Sequence, residues 1–233
     1  MRPPGRTYAP RVAQCARTPR IAPSILSADF ARLADEVGAV APAADSIHVD
    51  VMDGHFVPQV TIGPIVVHWL RRHTECFLDC HLMVDEPGAM LDDLVAAGAN
   101  GATVHVEAEP PRPHLRRIRE GGMQAGLAIS PETQFEAAIP YLEEIDLLLV
   151  MSVVPGRSGQ AFLPEALGKL EAARREIDAR GLSVAIQVDG GINGDTAPLA
   201  FRAGADILVA GSAIFDAADR VSAAHALRDA ALR

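Results

Sequence analysis

The sequence predicts an α/β protein that folds as a single (β/α)8 TIM barrel with parallel strands. From residue 20 to the C-terminus, short runs of β-branched residues alternate with helical patterns at a spacing of about 25 residues. Eight complete strand–helix units favour a closed barrel over the main alternative, an open doubly wound sheet. The polar motifs also fall at the C-terminal ends of the strands, where the active face of such a barrel lies.

The composition fits one domain, which we assign to residues 20–233. The chain has 233 residues, of which 49% are hydrophobic, so there is ample apolar material for one core. The net charge of −9 argues against binding to nucleic acid or to an anionic membrane surface. No apolar run approaches the roughly 18 residues of a transmembrane helix, and the N-terminus lacks the apolar centre of a signal peptide. We therefore expect a cytoplasmic protein.

Residues 1–19 are predicted to form a disordered N-terminal extension. Four prolines interrupt the segment, which has no apolar periodicity. The first 20 residues hold five arginines and no acidic residue, which also resembles an organellar transit peptide. The prolines argue against that alternative, because they would break the amphipathic helix that a transit peptide forms.

The strands are predicted from runs of apolar, mostly β-branched residues. The sixth run is nearly all apolar, as expected for a strand that is buried on both faces. In chain order the strands are predicted at about 20–26, 45–54, 76–84, 101–107, 123–129, 145–153, 183–189 and 206–211.

The helices are predicted from apolar residues at helical spacing and from capping residues at their ends. Ser27 is a fair N-cap for the first helix, whose apolar side carries Phe30 and Val40. Proline opens two of the later helices, and glycine closes several. These later helices are predicted at about 63–73, 87–98, 112–120, from Pro131 onward, 164–180, 195–203 and 217–232.

The second strand places His48, Asp50 and Met52 on one face, because successive side chains of a strand point to opposite faces. A polar face that simply meets water is the plain alternative. The third strand has the same design, since His81 and Met83 are again two residues apart. Imidazole, carboxylate and thioether together favour a surface for metal binding and acid/base chemistry.

Asp189 at the tip of the seventh strand completes a set of four possible ligands. Two histidines and two aspartates from three strand ends supply nitrogen and oxygen donors. Metals that accept imidazole together with carboxylate are the candidates, so we expect one divalent cation: zinc, manganese, iron(II) or cobalt.

Glycine-rich turns follow the last two strands. Gly190 and Gly191 come after the seventh strand, and Gly211 and Ser212 after the eighth. In many barrels the loops after these strands hold a phosphate group, although the glycines could serve only to make tight turns. Neither turn has the Gly-x-Gly-x-x-Gly fingerprint, so a nicotinamide cofactor is not implied.

Several motifs, in this order, resemble those of the ribulose-phosphate 3-epimerase family. The resemblance covers residue 21 to the end of the chain. The motifs are Ile25-Leu-Ser-Ala-Asp-Phe30, His48-Val-Asp-Val-Met-Asp-Gly54, Thr61-Ile-Gly-Pro64, His81-Leu-Met-Val84, Pro155-Gly156 with Gly159-Gln160, Val188-Asp-Gly-Gly191 and Ala210-Gly-Ser-Ala-Ile-Phe215.

The resemblance implies a (β/α)8 barrel that epimerises D-ribulose 5-phosphate to D-xylulose 5-phosphate at C3. Asp50 and Asp189 would be the acid/base pair, and these two residues with His48 and His81 would bind the metal. The substrate would be a small sugar phosphate, and we also expect a homo-oligomer. Residues expected to contact the substrate are Ser24, Met52, His81, Met83, Met151, Gly156, Gly159, Asp189, Gly190, Gly191, Gly211 and Ser212.

The chain departs from the usual family pattern on loops near the expected substrate site. Val154, Arg157 and Ser158 stand where the family usually has Asn, Phe and Gly, and Gln59-Val60 and Ser130 are further departures. These departures therefore bear on the nature of the sugar rather than on the chemistry.

Two alternatives to the pentulose-phosphate epimerase stay open. One is a 3-epimerase of a ketohexose 6-phosphate, and the other is a phosphate-binding barrel without activity. A Schiff-base aldolase would need a lysine at a strand end, whereas the only lysine is Lys169, inside the helix predicted at 164–180. Decarboxylases with an Asp-x-Lys-x-x-Asp motif are excluded by the same count.

Overall fold

The computed structural model describes residues 17–233 as a barrel of eight parallel strands. Neighbouring strands are hydrogen-bonded in the order β1-β8-β7-β6-β5-β4-β3-β2, and a parallel bridge between Ser24 and His48 joins β1 to β2. The predicted (β/α)8 barrel is confirmed. The strands are β1 (Arg20–Pro23), β2 (Ile47–Met52), β3 (Leu78–Met83), β4 (Gly101–His105), β5 (Gln124–Ile129), β6 (Leu147–Met151), β7 (Ala185–Asp189) and β8 (Ile207–Ala210).

Helices connect the strands and cover the outside of the barrel. The described residues form α1 (Leu33–Val40), α2 (Pro64–Arg71), α3 (Leu91–Ala97), α4 (Pro111–Glu120), α5 (Ala166–Ala179), α6 (Ala197–Ala203), α7 (Ser212–Phe215) and α8 (Arg220–Ala231). As predicted, Gly98 ends α3 in the left-handed conformation that glycine adopts without steric cost.

The helix predicted from Pro131 onward is wrong. Between β5 and β6 the chain forms two 3-10 turns, Phe135–Ala137 and Ile139–Tyr141. Pro140 would lie inside an α-helix here, where it has no N–H to donate and its ring clashes with the preceding turn. It is tolerated instead at the start of the second 3-10 turn.

The start of the first helix was also predicted wrongly. Ser27 does not cap it, because Ser24 caps a 3-10 turn at Ile25–Ser27 and Asp29 caps another at Phe30–Arg32. The α-helix begins only at Leu33, and Phe30 is largely exposed. The last predicted helix is shorter than expected, since α8 begins at Arg220 with Asp219 as its N-cap.

The apolar core has two parts, which the alternation of the strands separates. Residues such as Ile47 and Val49 face outward and pack with the helices in the larger part. Inside the barrel, Leu147, Leu149 and Met151 of β6 pack with residues of β1, β5 and β8. The outward residues of β2 thus stabilise the fold by packing against the helices. The residues on the other face of β2 point into the barrel.

The predicted N-terminal extension lies mostly outside the described residues. Of its last three residues, Arg17 contacts the barrel: its guanidinium donates to the carbonyl oxygens of Phe201 and Ala205 and lies over the Phe201 ring. No helix within residues 17–233 combines the length and the apolar character needed to cross a membrane.

Candidate functional site

The site begins with the pairing of β2 and β3. Their register places Asp50 beside His81 and His48 beside Asp79. All four residues point into the barrel and are almost completely buried. A polar patch is therefore built into two adjacent strands, at a depth where each polar group needs a partner.

Four residues, which we call the His/Asp cluster, converge near the C-terminal ends of the strands: His48, Asp50, His81 and Asp189. One possible ligand atom from each lies within 4.8 Å of the other three. Asp50 Oδ1 lies 3.1 Å from His81 Nδ1 and 3.4 Å from His48 Nε2. Asp189 comes from β7, which is three strands from β2 around the ring. Its Oδ2 lies 3.8 Å from His48 Nε2.

His48 is oriented by two residues that the sequence analysis missed. Its Nδ1 lies 3.1 Å from Asp79 Oδ2, which also accepts a hydrogen bond of 2.8 Å from Gln187. Asp79 is two residues before His81 and Gln187 two residues before Asp189, so the alternation of the strands already placed both on the inner face. The carboxylate of Asp79 keeps a proton on Nδ1, so Nε2 is the nitrogen that faces the cluster and can bind a metal when its own proton is released.

His81 has an outer partner as well. Its Nε2 lies 2.8 Å from Nε2 of His105 on β4, and Nδ1 of His105 lies 2.9 Å from the Glu107 carboxylate. His105 is fully buried and is absent from the lining of the pocket. It is therefore not placed to act on a substrate directly.

The two aspartates of the cluster have opposite tendencies to bind a proton. Burial opposes ionisation of Asp50, but the charge of His48 and the contact with His81 hold its pKa well below the usual range. Burial and the negative charge of Asp50 raise the pKa of Asp189. One carboxyl group is thus ionised, while the other retains a proton more readily.

The pKa values of the two histidines of the cluster are also shifted in opposite directions. Burial lowers the pKa of His48, but Asp50 and Asp79 outweigh it by charge and hydrogen bonding, so that the pKa is raised. For His81, burial dominates and lowers the pKa to about 4. His81 is therefore neutral near pH 7, which is the form in which imidazole binds a metal.

The cluster fits a divalent cation. His48 Nε2 is buried and has no hydrogen-bond partner among the described residues, while it faces two carboxylates. In a tetrahedral zinc site with bonds of roughly 2.0–2.2 Å, neighbouring ligand atoms are about 3.3–3.6 Å apart. The four contacts between the histidine nitrogens and the carboxylate oxygens of the cluster measure 3.1 to 4.0 Å. Two nitrogens and two carboxylate oxygens form a donor set suited to zinc and other borderline metals.

A pocket of about 380 Å³ opens above the cluster. Asp50 and Asp189 lie in its wall, whereas His48 and His81 are fully buried and do not line it. The other residues predicted to contact substrate all line the pocket: Ser24, Met52, Met83, Met151, Gly156, Gly159, Gly190, Gly191, Gly211 and Ser212. Ser24 also donates a hydrogen bond of 2.7 Å to Asp50 Oδ2.

The glycine turns are conformationally required. Gly191 has φ of 64°, and a Cβ at this position would lie 2.4 Å from the backbone nitrogen of Phe162. Gly190 has φ of 121° and would place a Cβ against Val153. Only glycine satisfies both demands, so the backbone at the end of β7 can approach a ligand closely.

The loop after β6 covers one side of the pocket mouth. Gln160 donates to the carbonyl oxygens of Val154 and Arg157, which closes the loop on itself. Ser158 Oγ is 2.5 Å from Ser27 Oγ, so the loop also contacts the segment after β1. The family departures Arg157 and Ser158 therefore lie at the pocket, as expected from the sequence.

Fold and site together define the class of the protein. A parallel (β/α)8 barrel carries its reactive groups at the C-terminal strand ends, and here those ends hold a candidate metal cluster beneath a small pocket. This is the architecture of a barrel enzyme that acts on a small molecule.

Comparisons with known proteins identify the family. The ribulose-phosphate 3-epimerase family profile matches residues 20–215. Ribulose-phosphate 3-epimerase from Mycobacterium bovis is 50% identical over 211 residues, covering 90% of this chain and 92% of the relative. The Bacillus subtilis ribulose-phosphate 3-epimerase is 45% identical over 215 residues, covering 90% and 98%. The chain belongs to the ribulose-phosphate 3-epimerase family, an isomerase family that epimerises sugar phosphates.

A solved structure supports the fold. The crystal structure of KGPDC from Streptococcus mutans has a TM-score of 0.69 and 15% sequence identity, and the match covers 93% of this chain and 99% of that one. At this level of identity the similarity speaks for the barrel alone.

Proposed function

We propose that the protein interconverts D-ribulose 5-phosphate and D-xylulose 5-phosphate by inverting C3. The observation that carries the proposal is the approach of two carboxylates, Asp50 from β2 and Asp189 from β7, to one pocket from opposite sides of the barrel. Inversion at carbon requires a proton to leave one face and another to arrive at the opposite face. Two opposed carboxyl groups can do this, whereas one cannot readily do both.

The proton chemistry follows from the different tendencies of the two carboxyl groups. The C3 proton is next to the C2 carbonyl, so its removal gives an enediolate. Asp50 is ionised and can accept the proton, and Asp189, whose pKa is raised, can supply one to the other face. Because its low pKa makes Asp50 a weak base, the step also needs a more acidic C3 proton, which a bound cation would provide by stabilising the enediolate. The roles reverse for the other epimer. Ser24 holds Asp50 Oδ2 and so fixes the orientation of this carboxylate.

We propose that the four residues of the His/Asp cluster are the ligands of one divalent cation. When bound, the cation would stabilise the negative charge that develops on the sugar oxygens. The buried Nε2 of His48 and the neutral form of His81 support this assignment. Zinc, manganese, iron(II) and cobalt all suit the donor set.

We propose that the pocket holds the sugar between methionines and the phosphate at glycine turns. Met52, Met83 and Met151 line the pocket beside the cluster. Their thioether side chains can pack against the carbon atoms of the sugar, and they are not acids or bases that would exchange protons with it. The phosphate would lie against the backbone of the small residues in the pocket wall, which are Gly156, Gly159, Gly190, Gly191, Gly211 and Ser212.

The decisive experiment is a direct assay of the purified protein with each candidate metal. D-ribulose 5-phosphate and a ketohexose 6-phosphate are tested side by side, before and after exhaustive chelation. We expect turnover of the pentulose phosphate that is lost on chelation and restored by a divalent cation. Preference for the hexulose phosphate would favour the close alternative, for which the altered residues Arg157 and Ser158 at the pocket are the supporting observation. Full turnover in a protein shown by elemental analysis to be metal-free would contradict the metal assignment.

We also propose that the protein is a cytoplasmic homo-oligomer. Ile65 and Trp69 lie one turn apart on α2 and are 72% and 55% exposed. Large apolar side chains exposed together are typical of surfaces that contact another protein. Light scattering coupled to size exclusion measures the mass in solution, and a monomer would contradict the proposal.

A further inference from the structure

A series of close polar contacts runs from the His/Asp cluster to Glu107, two residues beyond the end of β4. Asp50 Oδ1 is 3.1 Å from His81 Nδ1, His81 Nε2 is 2.8 Å from His105 Nε2, and His105 Nδ1 is 2.9 Å from Glu107 Oε2. Both imidazoles are fully buried, so water does not take the place of any partner. We call these four residues the Asp50–Glu107 series.

The two ends of the series are carboxylates, which only accept hydrogen bonds. The four groups meet in three contacts, which we call gaps: Asp50–His81, His81–His105 and His105–Glu107. In each gap two atoms with lone pairs face one another, so a proton or another positive centre must lie between them. Two neutral imidazoles carry only two N–H protons. One gap therefore lacks a proton, and the remaining question is which gap it is.

Both end carboxylates are ionised, so a bound cation decides this: in the His/Asp cluster it would supply the positive centre between Asp50 Oδ1 and His81 Nδ1, and the two protons would fill the other gaps. At the other end, Glu107 accepts from His105. Partial burial opposes ionisation, yet hydrogen bonds from His105, Thr133 and the Ser130 N–H lower the pKa of Glu107 to about 2. An ionised Glu107 keeps the proton of His105 on Nδ1. With one proton on each ring, Nε2 of His105 then accepts from Nε2–H of His81, and His81 is left with a lone pair on Nδ1. The open gap is the one between His81 and Asp50, which lies inside the His/Asp cluster.

We propose that Glu107, acting through His105, is a positioning residue that fixes the tautomer of His81 and thereby leaves Nδ1 free to bind a divalent cation. The inference rests on the metal site proposed above and extends it to two residues beyond the ligands. Asp79 has the matching role for His48: its carboxylate contacts Nδ1, so Nε2 is the nitrogen that faces the cluster. Each histidine is thus fixed by a carboxylate on the side away from the cluster.

Glu107 is itself held in place by the loop after β5. Its Oε1 accepts a hydrogen bond of 2.7 Å from the Ser130 N–H. Lys169, the only lysine of the chain, donates to the carbonyl oxygens of Ser130, Pro131 and Thr133. The lysine thereby fixes the loop that orients the carboxylate.

The substitution Glu107→Gln tests the direction of the series. The Ser130 N–H still requires an acceptor, so the amide oxygen of the new side chain faces Ser130 and its NH2 group faces His105. The side chain at position 107 is the nearer partner of His105 Nδ1, at 2.9 Å against 3.4 Å for Ser130 Oγ, so His105 is expected to accept at Nδ1 and to carry its proton on Nε2. His81 in turn accepts at Nε2 and is protonated on Nδ1, the atom that should bind the metal.

Two measurements on the full chain follow. Competition with a chromophoric chelator gives the zinc affinity, which we expect to fall about 10- to 100-fold in Glu107→Gln. Long-range ¹H–¹⁵N NMR of the histidine rings gives the tautomers directly. In the zinc-loaded wild-type protein we expect protons on His81 Nε2 and His105 Nδ1, and in metal-free Glu107→Gln a proton on His81 Nδ1.

The matched control is Glu109→Gln, which removes the same charge two residues along the chain. Glu109 contacts His114, outside the series, and its side chain is 46% exposed. We expect its zinc affinity to stay within about twofold of wild type, since exposed ion pairs contribute little. An equal loss in both variants would show a general charge effect and overturn the inference.

The wild-type tautomers test the inference even if Glu107→Gln fails to fold. A proton on His105 Nε2 in the zinc-loaded protein would overturn it, as would unchanged zinc affinity in a folded Glu107→Gln protein. Absence of zinc binding by wild type would overturn it together with the metal site. If zinc binding and tautomers are as expected but no sugar phosphate is epimerised, only the proposed reaction fails.

Discussion

The His/Asp cluster and the loops around the pocket mouth are built by different means. In the cluster, the side chains on the paired strands β2 and β3 are buried. Each histidine is hydrogen-bonded on the side away from the cluster, His48 to Asp79 and His81 to His105. At the mouth, glycine turns and the loop after β6 present mainly backbone, and much of that loop is exposed. The proposed reactive groups therefore depend on residue identity in rigid strands, whereas the proposed substrate recognition depends on turn conformation. Two of the departures from the usual family pattern, Arg157 and Ser158, lie on the loop at the pocket mouth.

The largest effect should come from the carboxylates of the cluster. Asp50→Asn and Asp189→Asn keep the shape of the side chain and a possible oxygen ligand, but remove the proton acceptor. We expect each to lower kcat by about 10³-fold or more. A coupled assay measures the rate, and wild-type product formed in deuterated water should carry deuterium at C3.

Asp195→Asn is the control for these variants. Asp195 follows β7 but is exposed and does not line the pocket, so its replacement should leave kcat unchanged. Near wild-type turnover by Asp189→Asn with its metal still bound would show that the two-aspartate assignment is wrong. His105, which is buried behind His81, could not replace Asp189 without rearrangement.

The next effect should come from the turn after β7. Gly191→Ala forces an L side chain into the left-handed region and places its Cβ against backbone of Phe162. We expect a loss of roughly 1–3 kcal/mol in the free energy of unfolding, with a raised KM because the turn lines the pocket. Urea unfolding and steady-state kinetics measure the two effects.

Gly194→Ala offers the comparison for Gly191→Ala. A Cβ at Gly194 meets no atom within 4 Å, and its φ is outside the left-handed region. Its stability should match wild type. If Gly191→Ala were equally harmless, the turn would be more adaptable than the contact with Phe162 indicates.

A smaller effect is expected at Arg157, on the loop after β6. Its guanidinium is suited to a phosphate group, and the glycines on either side permit the loop to move. We expect Arg157→Ala to raise KM about tenfold with little change in kcat, as loss of one charge-assisted hydrogen bond would do. Arg175→Ala on the exposed side of α5 controls for the net charge. An unchanged KM would mean that Arg157 stays in solvent.

The smallest effect is expected from the N-terminal extension. Removal of residues 1–19 should leave kcat and KM unchanged, because no part of the pocket lining comes from residues 17–19. Arg17 contacts Phe201 and Ala205, so a chain starting at Arg20 should be slightly less stable than one starting at Arg17, by about 1 kcal/mol. Thermal unfolding compares the two. Loss of most activity in either would contradict the predicted dispensability.

The sequence by itself determined the barrel and much of the site. Eight alternating units required parallel strands with crossover helices, and the two-residue period of β2 placed His48 and Asp50 on the inner face. Closure of the ring then made the approach of Asp189 from the opposite side a consequence of strand order. These features follow from local periodicity, which a sequence displays directly.

Only the tertiary structure decided which partners orient the cluster. Gln187 and Asp79 are 108 residues apart, yet they share a hydrogen bond inside the barrel. The contact of His105 with His81 depends in the same way on the register of neighbouring strands. Periodicity gives the face on which a side chain lies but not the distance to a polar group on another strand. Buried polar groups must find partners, and which partners they find is settled by the closed barrel alone.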